Sequence, residues 1–342
     1  MRATPQSTEL AGIVQREGVM NQLISRRAAV RRMVAFAAVG LAAPALSACR
    51  QDPGIEAEDA VSTMAAPPGA ADSARLAQWV DTLRREGLAD SGRPLGLAAV
   101  RVGELAQGTP YEAYTLEEYL KAGGSPSRTE PLTLSLTKFD CVSLVEACLA
   151  VARVARAEGD PGWDAFGREM EKMRYRAGLR EGYVSRLHYF SEWISDGAER
   201  GLVRPLGEEL GGMPDDRPLR FMSSNPDSYP AMATPDVAKG IAEMERALDF
   251  SPRWVILTAD IPGIADSLES GDVLAFATSI AGLDVTHSAF AYRSPDGVMR
   301  VLHAPLSGGV VEITGTTVHE YVTAIRTATG ILVARPLPEA AA

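Results

Sequence analysis

The chain has 342 residues, of which 46% are hydrophobic, and its 34 basic and 44 acidic side chains give a formal net charge of −10. A chain of this length can bury a sizeable core. Its acidic balance argues against nucleic acid as a partner and against electrostatic docking on anionic lipid.

The first 48 residues have the pattern of an export signal. Two arginine pairs, Arg26-Arg27 and Arg31-Arg32, precede an apolar stretch over 33–46 that is shorter than the ~20 residues of a membrane span. The stretch ends at Leu46-Ser47-Ala48-Cys49, which resembles a bacterial lipobox and implies lipidation of Cys49. The alternative is an ordinary secretory signal in which Cys49 has no role. The arginine pairs resemble a twin-arginine signal without deciding between Tat and Sec export.

The rest of the chain is more acidic than the whole. Residues 1–48 hold six Arg and two Glu, so the remainder has 28 basic and 42 acidic groups, a net charge of −14. Residues 49–72 are rich in Asp, Glu, Ala and Pro and are predicted to form a lipidated tether. Residues 73–336 are predicted as one domain and 337–342 as a flexible tail. We therefore predict a periplasmic domain that is anchored to a membrane through its lipidated N-terminus.

Most of the predicted helices precede residue 201. They cover Ala74–Glu86, Leu116–Lys121, Cys141 to about Arg156, Trp163–Met173, Tyr189–Arg200 and, within a mixed segment 202–251, Pro235–Leu248. In the helix that begins at Cys141, apolar residues recur at helical spacing and Asp140 is the predicted N-cap. A cysteine in a first turn feels the positive end of the helix dipole and unpaired N–H groups, which favour the nucleophilic thiolate. This pattern predicts a cysteine hydrolase or acyltransferase.

Cys141 is also predicted to be a free thiol. If Cys49 is lipidated, only Cys141 and Cys148 remain, and one helix separates them by about 10.5 Å at ~1.5 Å per residue. A disulfide needs Cα atoms within about 7 Å, so these two cannot pair. Cys148 lies on the apolar face and is predicted as a core residue. Cys141 is then a free thiol in a compartment that oxidises thiols, which makes it the candidate nucleophile.

The last third of the chain is rich in β-strands. They are predicted at Trp254–Thr258, Asp272–Thr278, Thr286–Arg293, Val298–Ala304 and Val310–Thr314. Helices followed by an antiparallel sheet predict an α+β fold.

Two of these strands carry histidines. His287 and His303 flank Ser294-Pro295-Asp296-Gly297, which suits a type I turn with a G1 bulge. This turn pairs residue 294 with 298 and places both histidines on one face, ~7–8 Å apart at Cα. A turn that shifts the register by one residue would separate them, and two unrelated strand histidines are the alternative. A thiol hydrolase needs an imidazole to accept and return a proton and a polar group to orient it, so this pair is a candidate.

Other catalytic motifs are missing from the sequence. It contains no Cys-x-x-Cys or His-x-x-x-His spacing, no glycine-rich phosphate loop after a strand and no Gly-x-Ser-x-Gly motif. We therefore predict neither a metal nor a cofactor.

Phe139-Asp140-Cys141-Val142-Ser143 resembles the Asp-Cys motif of the NlpC superfamily of papain-like cell-wall cysteine hydrolases. Five segments in order resemble its N-acetylmuramoyl-L-alanine amidase-like branch: 108–111 with 116–117, 138–146, 185–193, 282–287 and 302–304. The resemblance implies a papain-like α+β core with the nucleophile helix packed on an antiparallel sheet. It implies Cys141 as nucleophile, His287 as general base and then acid, and His303 as the orienting residue. The implied substrate is peptidoglycan or a muropeptide, cut between N-acetylmuramic acid and L-alanine through a thioester.

Tyr183, Arg186 and His188 are candidates for substrate binding. Arg186 could bind a stem-peptide carboxylate bidentately, and His188 could donate a hydrogen bond to a sugar or acyl oxygen. The alternative is that neighbouring aromatic residues pack a helix on the core while Arg186 and His188 face solvent.

Three other functions stay open at this point. One is a γ-D-glutamyl endopeptidase on the same fold, which the cut position would distinguish. Another is a non-catalytic wall-binding lipoprotein, in which Cys141 would react no faster than free cysteine. The third is an acyl-lipid transferase, an activity that related papain-like folds have.

Overall fold

The structure is a computed structural model that describes residues 68–126, 130–251, 253–306 and 309–338. The predicted signal peptide 1–48, the predicted lipidation site Cys49 and most of the predicted tether lie outside the described residues. Within the described part of the chain, no helix is both long and apolar enough to cross a membrane.

Helices form most of the first half of the domain. In chain order they are α1 (Ala70–Arg85), α2 (Leu95–Leu105), α3 (Glu118–Lys121), α4 (Cys141–Arg156), α5 (Trp163–Arg174), α6 (Phe190–Glu199), α7 (Phe221–Ser224), α8 (Pro235–Ala247), α9 (Ile261–Ile264) and α10 (Val318–Ala324). The six predicted helices are all found, with ends shifted by a few residues. Helix α2 was not predicted because it is apolar on nearly every face, so no amphipathic pattern marks it.

Helix α1 begins earlier than predicted. It starts at Ala70, inside the segment predicted as a tether. Asp72 in its first turn accepts hydrogen bonds from the backbone N–H of Leu136 at 2.7 Å and from the hydroxyl of Thr137 at 3.2 Å. These bonds tie the start of α1 to the loop that leads into α4. The helix therefore begins four residues before its predicted start at Ala74.

Within the described residues, the strands form an eight-stranded antiparallel sheet, which confirms the α+β class. They are β1 (Val203–Pro205), β2 (Met213–Asp215), β3 (Arg253–Leu257), β4 (Val273–Thr278), β5 (Val285–Arg293), β6 (Met299–His303), β7 (Glu312–Ile313) and β8 (Ala328–Pro336). Their order is β2-β3-β8-β4-β5-β6-β7, and β1 pairs with β8. Strand β8 was not predicted, although it lies between β3 and β4.

Apolar residues cover both faces of this sheet. On one face, Leu144 and Cys148 of α4 share a buried cluster with Phe290 of β5. On the other face, Phe276 of β4 and Tyr321 of α10 belong to a second cluster. The residues of β4 are all buried, and Cys148 is confirmed as a core residue. Helix α4 thus packs against a sheet that apolar residues cover on both faces.

Candidate active site

The local structure around Cys141 fixes the start of α4. The Asp140 carboxylate accepts a hydrogen bond from the Ser143 N–H at 2.7 Å, and the Ser143 hydroxyl accepts one from the Asp140 N–H at 2.8 Å. This reciprocal capping box confirms the predicted N-cap. Just before it, the Phe139 N–H donates to the Pro110 carbonyl at 3.2 Å. The capping box and the Phe139–Pro110 hydrogen bond thus fix the first turn of α4, which carries the thiol.

The thiol of Cys141 lies against strand β5. It accepts hydrogen bonds from the backbone N–H groups of Ser288 and Val142, and its side chain is partly buried. Burial, followed by the charge of Asp140, raises the pKa of Cys141 to about 11, because the hydrogen bonds only partly offset these two effects. Burial thus opposes the thiolate that the helix start favours, and this pKa leaves the thiol neutral at pH 7.

This pKa predicts how fast Cys141 reacts with an alkylating reagent. Below the pKa the thiolate fraction rises about tenfold per pH unit, so the iodoacetamide rate at Cys141 should rise by about that factor per unit from pH 7 to 9. Mass spectrometry of the peptide containing Cys141 measures this rate. Cys141→Ala supplies the background from the buried Cys148. A rate that levels off below pH 8 would contradict the neutral thiol.

The hairpin of β5 and β6 has the predicted turn and register. The Ser294 N–H donates to the Val298 carbonyl at 3.0 Å, and Gly297 has φ 83°, the left-handed conformation that a G1 bulge needs. Phe290 pairs with Leu302, which is the predicted register. As a result Nε2 of His287 and Nδ1 of His303 are 2.8 Å apart. The prediction that the two histidines share a face is confirmed.

A β-bulge lies directly before His287. On β4, Phe276 pairs with His287 while the next residue, Ala277, pairs with Val285, so Thr286 is an extra residue on β5. Bulges of this kind redirect the side chains beside them. Asp284 fixes the backbone beside this bulge. Its carboxylate accepts hydrogen bonds from the N–H of Val285 at 2.7 Å and from the N–H of Ser191 at 2.8 Å. Asp284 thus joins the start of β5 to the first turn of α6.

The histidine pair is buried and neutral. Burial, with a further contribution from His303, lowers the pKa of His287 well below its ordinary 6.5. Burial also lowers the pKa of His303. The two rings pack with Phe276 and Tyr321. Among the described residues, Nδ1 of His287 is buried without a hydrogen-bond partner, and no hydrogen bond joins it to the thiol. A buried, unpaired ring nitrogen can accept a proton, which is what a general base requires.

Tyr183, Arg186 and His188 cluster together, but their contacts are internal to the protein. The guanidinium of Arg186 is 2.8 Å from the Glu117 carboxylate and 3.5 Å from that of Glu130, and it lies over the Tyr183 ring at 4.7 Å. His188 bonds through Nε2 to the Tyr183 carbonyl at 2.7 Å. Arg186 is thus buried and already paired, so neither its predicted capture of a substrate carboxylate nor the solvent-facing alternative fits this arrangement.

Two residues beside the thiol were not predicted. Ser288 follows His287 on β5 and contacts the thiol, as described above. The charges of Cys141 and Asp140 act on the Tyr111 phenol, because burial first and then these two groups raise the pKa of Tyr111 far above its ordinary value. Tyr111 is placed there by a β-bridge to Phe139. The segment 108–111 was singled out in the sequence, but nothing in it indicated that Tyr111 would approach Cys141.

No group of three or more His, Cys, Asp or Glu side chains within the described ranges is arranged to hold a metal ion.

The fold resembles several solved structures. An N-acetylmuramoyl-L-alanine amidase from Bacteroides uniformis is 28% identical, with a TM-score of 0.64 over 71% of this chain and 98% of that chain. A candidate xylanase from Bacteroides fragilis is 29% identical, with a TM-score of 0.59 over 68% of this chain and 99% of that chain. A Legionella pneumophila protein is 17% identical, with a TM-score of 0.56 over 79% of this chain and 95% of that chain, and shows the fold alone.

No curated protein matches the chain. The family described as "AmiA-like: N-acetylmuramoyl-L-alanine amidase-like" matches residues 101–331, which contain Cys141, both histidines of the pair and most of the sheet. The chain therefore belongs to the AmiA-like family of N-acetylmuramoyl-L-alanine amidase-like proteins.

Proposed function

We propose that the protein is a cysteine amidase that cuts peptidoglycan or muropeptides between N-acetylmuramic acid and L-alanine. Family membership supports a hydrolase of the cell wall, and the Bacteroides uniformis relative is itself described as an N-acetylmuramoyl-L-alanine amidase. One observation carries the cysteine mechanism. The Cys141 thiol lies beside Ser288 of β5, and the same strand carries His287, whose Nδ1 is buried without a hydrogen-bond partner among the described residues.

The first half of the reaction forms a thioester. Because thiol and imidazole are both neutral at rest, Nδ1 of His287 takes the proton of the Cys141 thiol as sulfur attacks the amide carbon. The N–H groups in the first turn of α4, including that of Cys141, stabilise the negative charge that develops on the oxygen. The C–N bond then breaks, and His287 gives its proton to the departing amine of L-alanine.

The second half restores the enzyme. His287, again neutral, takes a proton from water as the water oxygen attacks the thioester carbon. The bond from that carbon to sulfur breaks, and sulfur recovers its proton from His287. The 2.8 Å hydrogen bond between Nε2 of His287 and Nδ1 of His303 fixes the orientation of the His287 ring. The other nitrogen of that ring, Nδ1 of His287, stays available to accept the proton.

We also propose a papain-like core and membership of the NlpC superfamily. A cysteine at the start of a helix, that helix on an antiparallel sheet, and a histidine pair on adjacent strands support this assignment.

Export and anchoring are proposals that rest on the sequence of the first 49 residues. We propose a periplasmic lipoprotein held in the membrane by acyl chains on Cys49. Expression of the full chain with a labelled fatty acid should label the wild type, while Cys49→Ala should stay unlabelled. Unlabelled wild type, or equal labelling of Cys49→Ala, would refute the anchor.

Product analysis tests the reaction. Muropeptides are incubated with the protein and the products are identified by mass spectrometry, with and without EDTA. The expected product is a free stem peptide beginning with L-alanine, formed equally in EDTA, absent with Cys141→Ala and present with the control Cys148→Ala. No cleavage, or loss of cleavage in EDTA, would refute the cysteine amidase. A cut after D-glutamate would identify the endopeptidase instead.

A further inference from the structure

The far side of the histidine pair contains a third ionisable side chain. His303 is fully buried, and its Nε2 has no hydrogen-bond partner within the described residues. The carboxylate of Glu312 approaches this atom, with Oε1 at 3.6 Å. The approach follows from the fold, since His303 and Glu312 are paired directly across β6 and β7. Side chains at such positions are neighbours on one face of a sheet.

The hydrogen bonds of the pair determine which nitrogen can act as base. A neutral imidazole carries one N–H, so its two nitrogens have opposite roles. If Nδ1 of His287 is to accept the thiol proton, Nε2 of His287 must carry the hydrogen and donate it to Nδ1 of His303. Nε2 of His303 must then carry a hydrogen, and that N–H faces Glu312.

We propose that Glu312 is a positioning residue of the amidase, a role that rests on the function proposed above. Its carboxylate, 3.6 Å from Nε2 of His303, attracts a hydrogen on that nitrogen electrostatically and thereby keeps both rings in the tautomer that leaves Nδ1 of His287 free. Without this acceptor, His303 can carry its hydrogen on Nδ1 and donate it to His287. The hydrogen of His287 then sits on Nδ1, and the ring cannot take the proton of Cys141. Orientation of a catalytic imidazole by a carboxylate acts in this way in other hydrolases.

The charges around His303 favour this assignment. On β5 it faces the neutral His287, and on α10 it faces the Tyr321 hydroxyl, 3.5 Å from Nδ1. From β7 it faces Glu312, whose side chain is about half exposed. Glu312 is thus the acidic group among these neighbours, and it also compensates the positive charge that appears on the pair when His287 is protonated. Since water screens the exposed end of Glu312, we expect a moderate effect on rate.

Nuclear magnetic resonance of protein labelled with ¹⁵N-histidine tests the tautomers without substrate. In the wild type, both rings should carry hydrogen on Nε2. In Glu312→Ala, both rings should carry the hydrogen on Nδ1 instead in a fraction of the molecules. Glu312→Gln keeps an acceptor oxygen and should hold the wild-type tautomers. Glu243→Ala removes an exposed carboxylate of α8 and should change nothing.

Kinetics with muropeptide complete the test. Glu312→Ala should lower kcat at least about tenfold with little change in KM, and Glu312→Gln should lie between Glu312→Ala and wild type. An Nδ1–H on wild-type His303, or Glu312→Ala with unchanged tautomers or unchanged kcat, would overturn the role of Glu312. The NMR measurement does not require the protein to be catalytically active. An inactive wild type therefore counts against the amidase, while the tautomers still decide whether Glu312 positions the pair.

Discussion

Replacing His287 with glutamine is expected to lower kcat for amide cleavage by about 10²–10⁴-fold, with KM nearly unchanged. Glutamine cannot accept a proton from Cys141 or return one to the leaving amine, whereas binding of the substrate does not depend on that transfer. His303→Gln should have a smaller effect, because in the proposed mechanism His303 acts only through the orientation of His287. His319→Gln is the matched control, since His319 lies on α10, outside the pair. Activity of His287→Gln near that of wild type would refute the assignment of the base.

The pH profile of the wild type gives an independent check on His287. A group with a depressed pKa stays neutral to lower pH, and the pKa of His287 is lowered well below 6.5 by burial. The value of kcat/KM should therefore hold constant as the pH falls to 6.5 and decline only below it, where the imidazole gains a proton. A decline that is already half complete above pH 6.5 would indicate a histidine exposed to water. The same measurement on Glu243→Ala controls for general effects of charge.

The parts of the site that could be predicted from sequence are those set by local rules. Asp140 before an amphipathic run predicts a helix start at Cys141, and the capping box is what the structure shows. Turn chemistry between the strands of His287 and His303 determines their register, so two residues 16 positions apart could be placed in contact. Such signals depend only on neighbours in the chain.

What could not be predicted depends on groups brought together by the fold. The pKa of Cys141 reflects its burial against Ser288, and no local pattern gives the depth of burial. Arg186 was expected to bind substrate, but the fold pairs it with Glu117 and Glu130. Strand β8 was missed because its partners β3 and β4 lie 50 or more residues earlier in the sequence. A single sequence shows that a charged residue is present, but not which charge faces it.

The largest expected loss of stability follows from breaking a buried ion pair between α4, the helix that begins at Cys141, and α5. Nε of Arg174 donates to the Glu146 carboxylate at 2.8 Å, and the side chains are 3% and 2% exposed. Nη1 of Arg174 also donates to the Thr133 carbonyl at 2.6 Å. The pair thus joins α4, α5 and the loop before α4. Glu146→Gln leaves the arginine charge buried without its partner, which should lower the free energy of unfolding by about 3–5 kcal/mol.

Urea denaturation followed by circular dichroism measures this loss, and an exposed pair supplies the control. Arg85 and Asp81 on α1 are each 66% exposed, so Asp81→Asn should cost no more than about 1 kcal/mol. The double variant Glu146→Leu with Arg174→Met removes both charges and should recover much of the loss, because the cost comes from the unpaired charge and not from the missing bond. A loss below about 1 kcal/mol in Glu146→Gln would show that the buried pair contributes little.

Activity measurements distinguish this ion pair from the residues of the candidate active site. At a temperature where Glu146→Gln is folded, its kcat should match the wild type, whereas His287→Gln should be fully folded and slow.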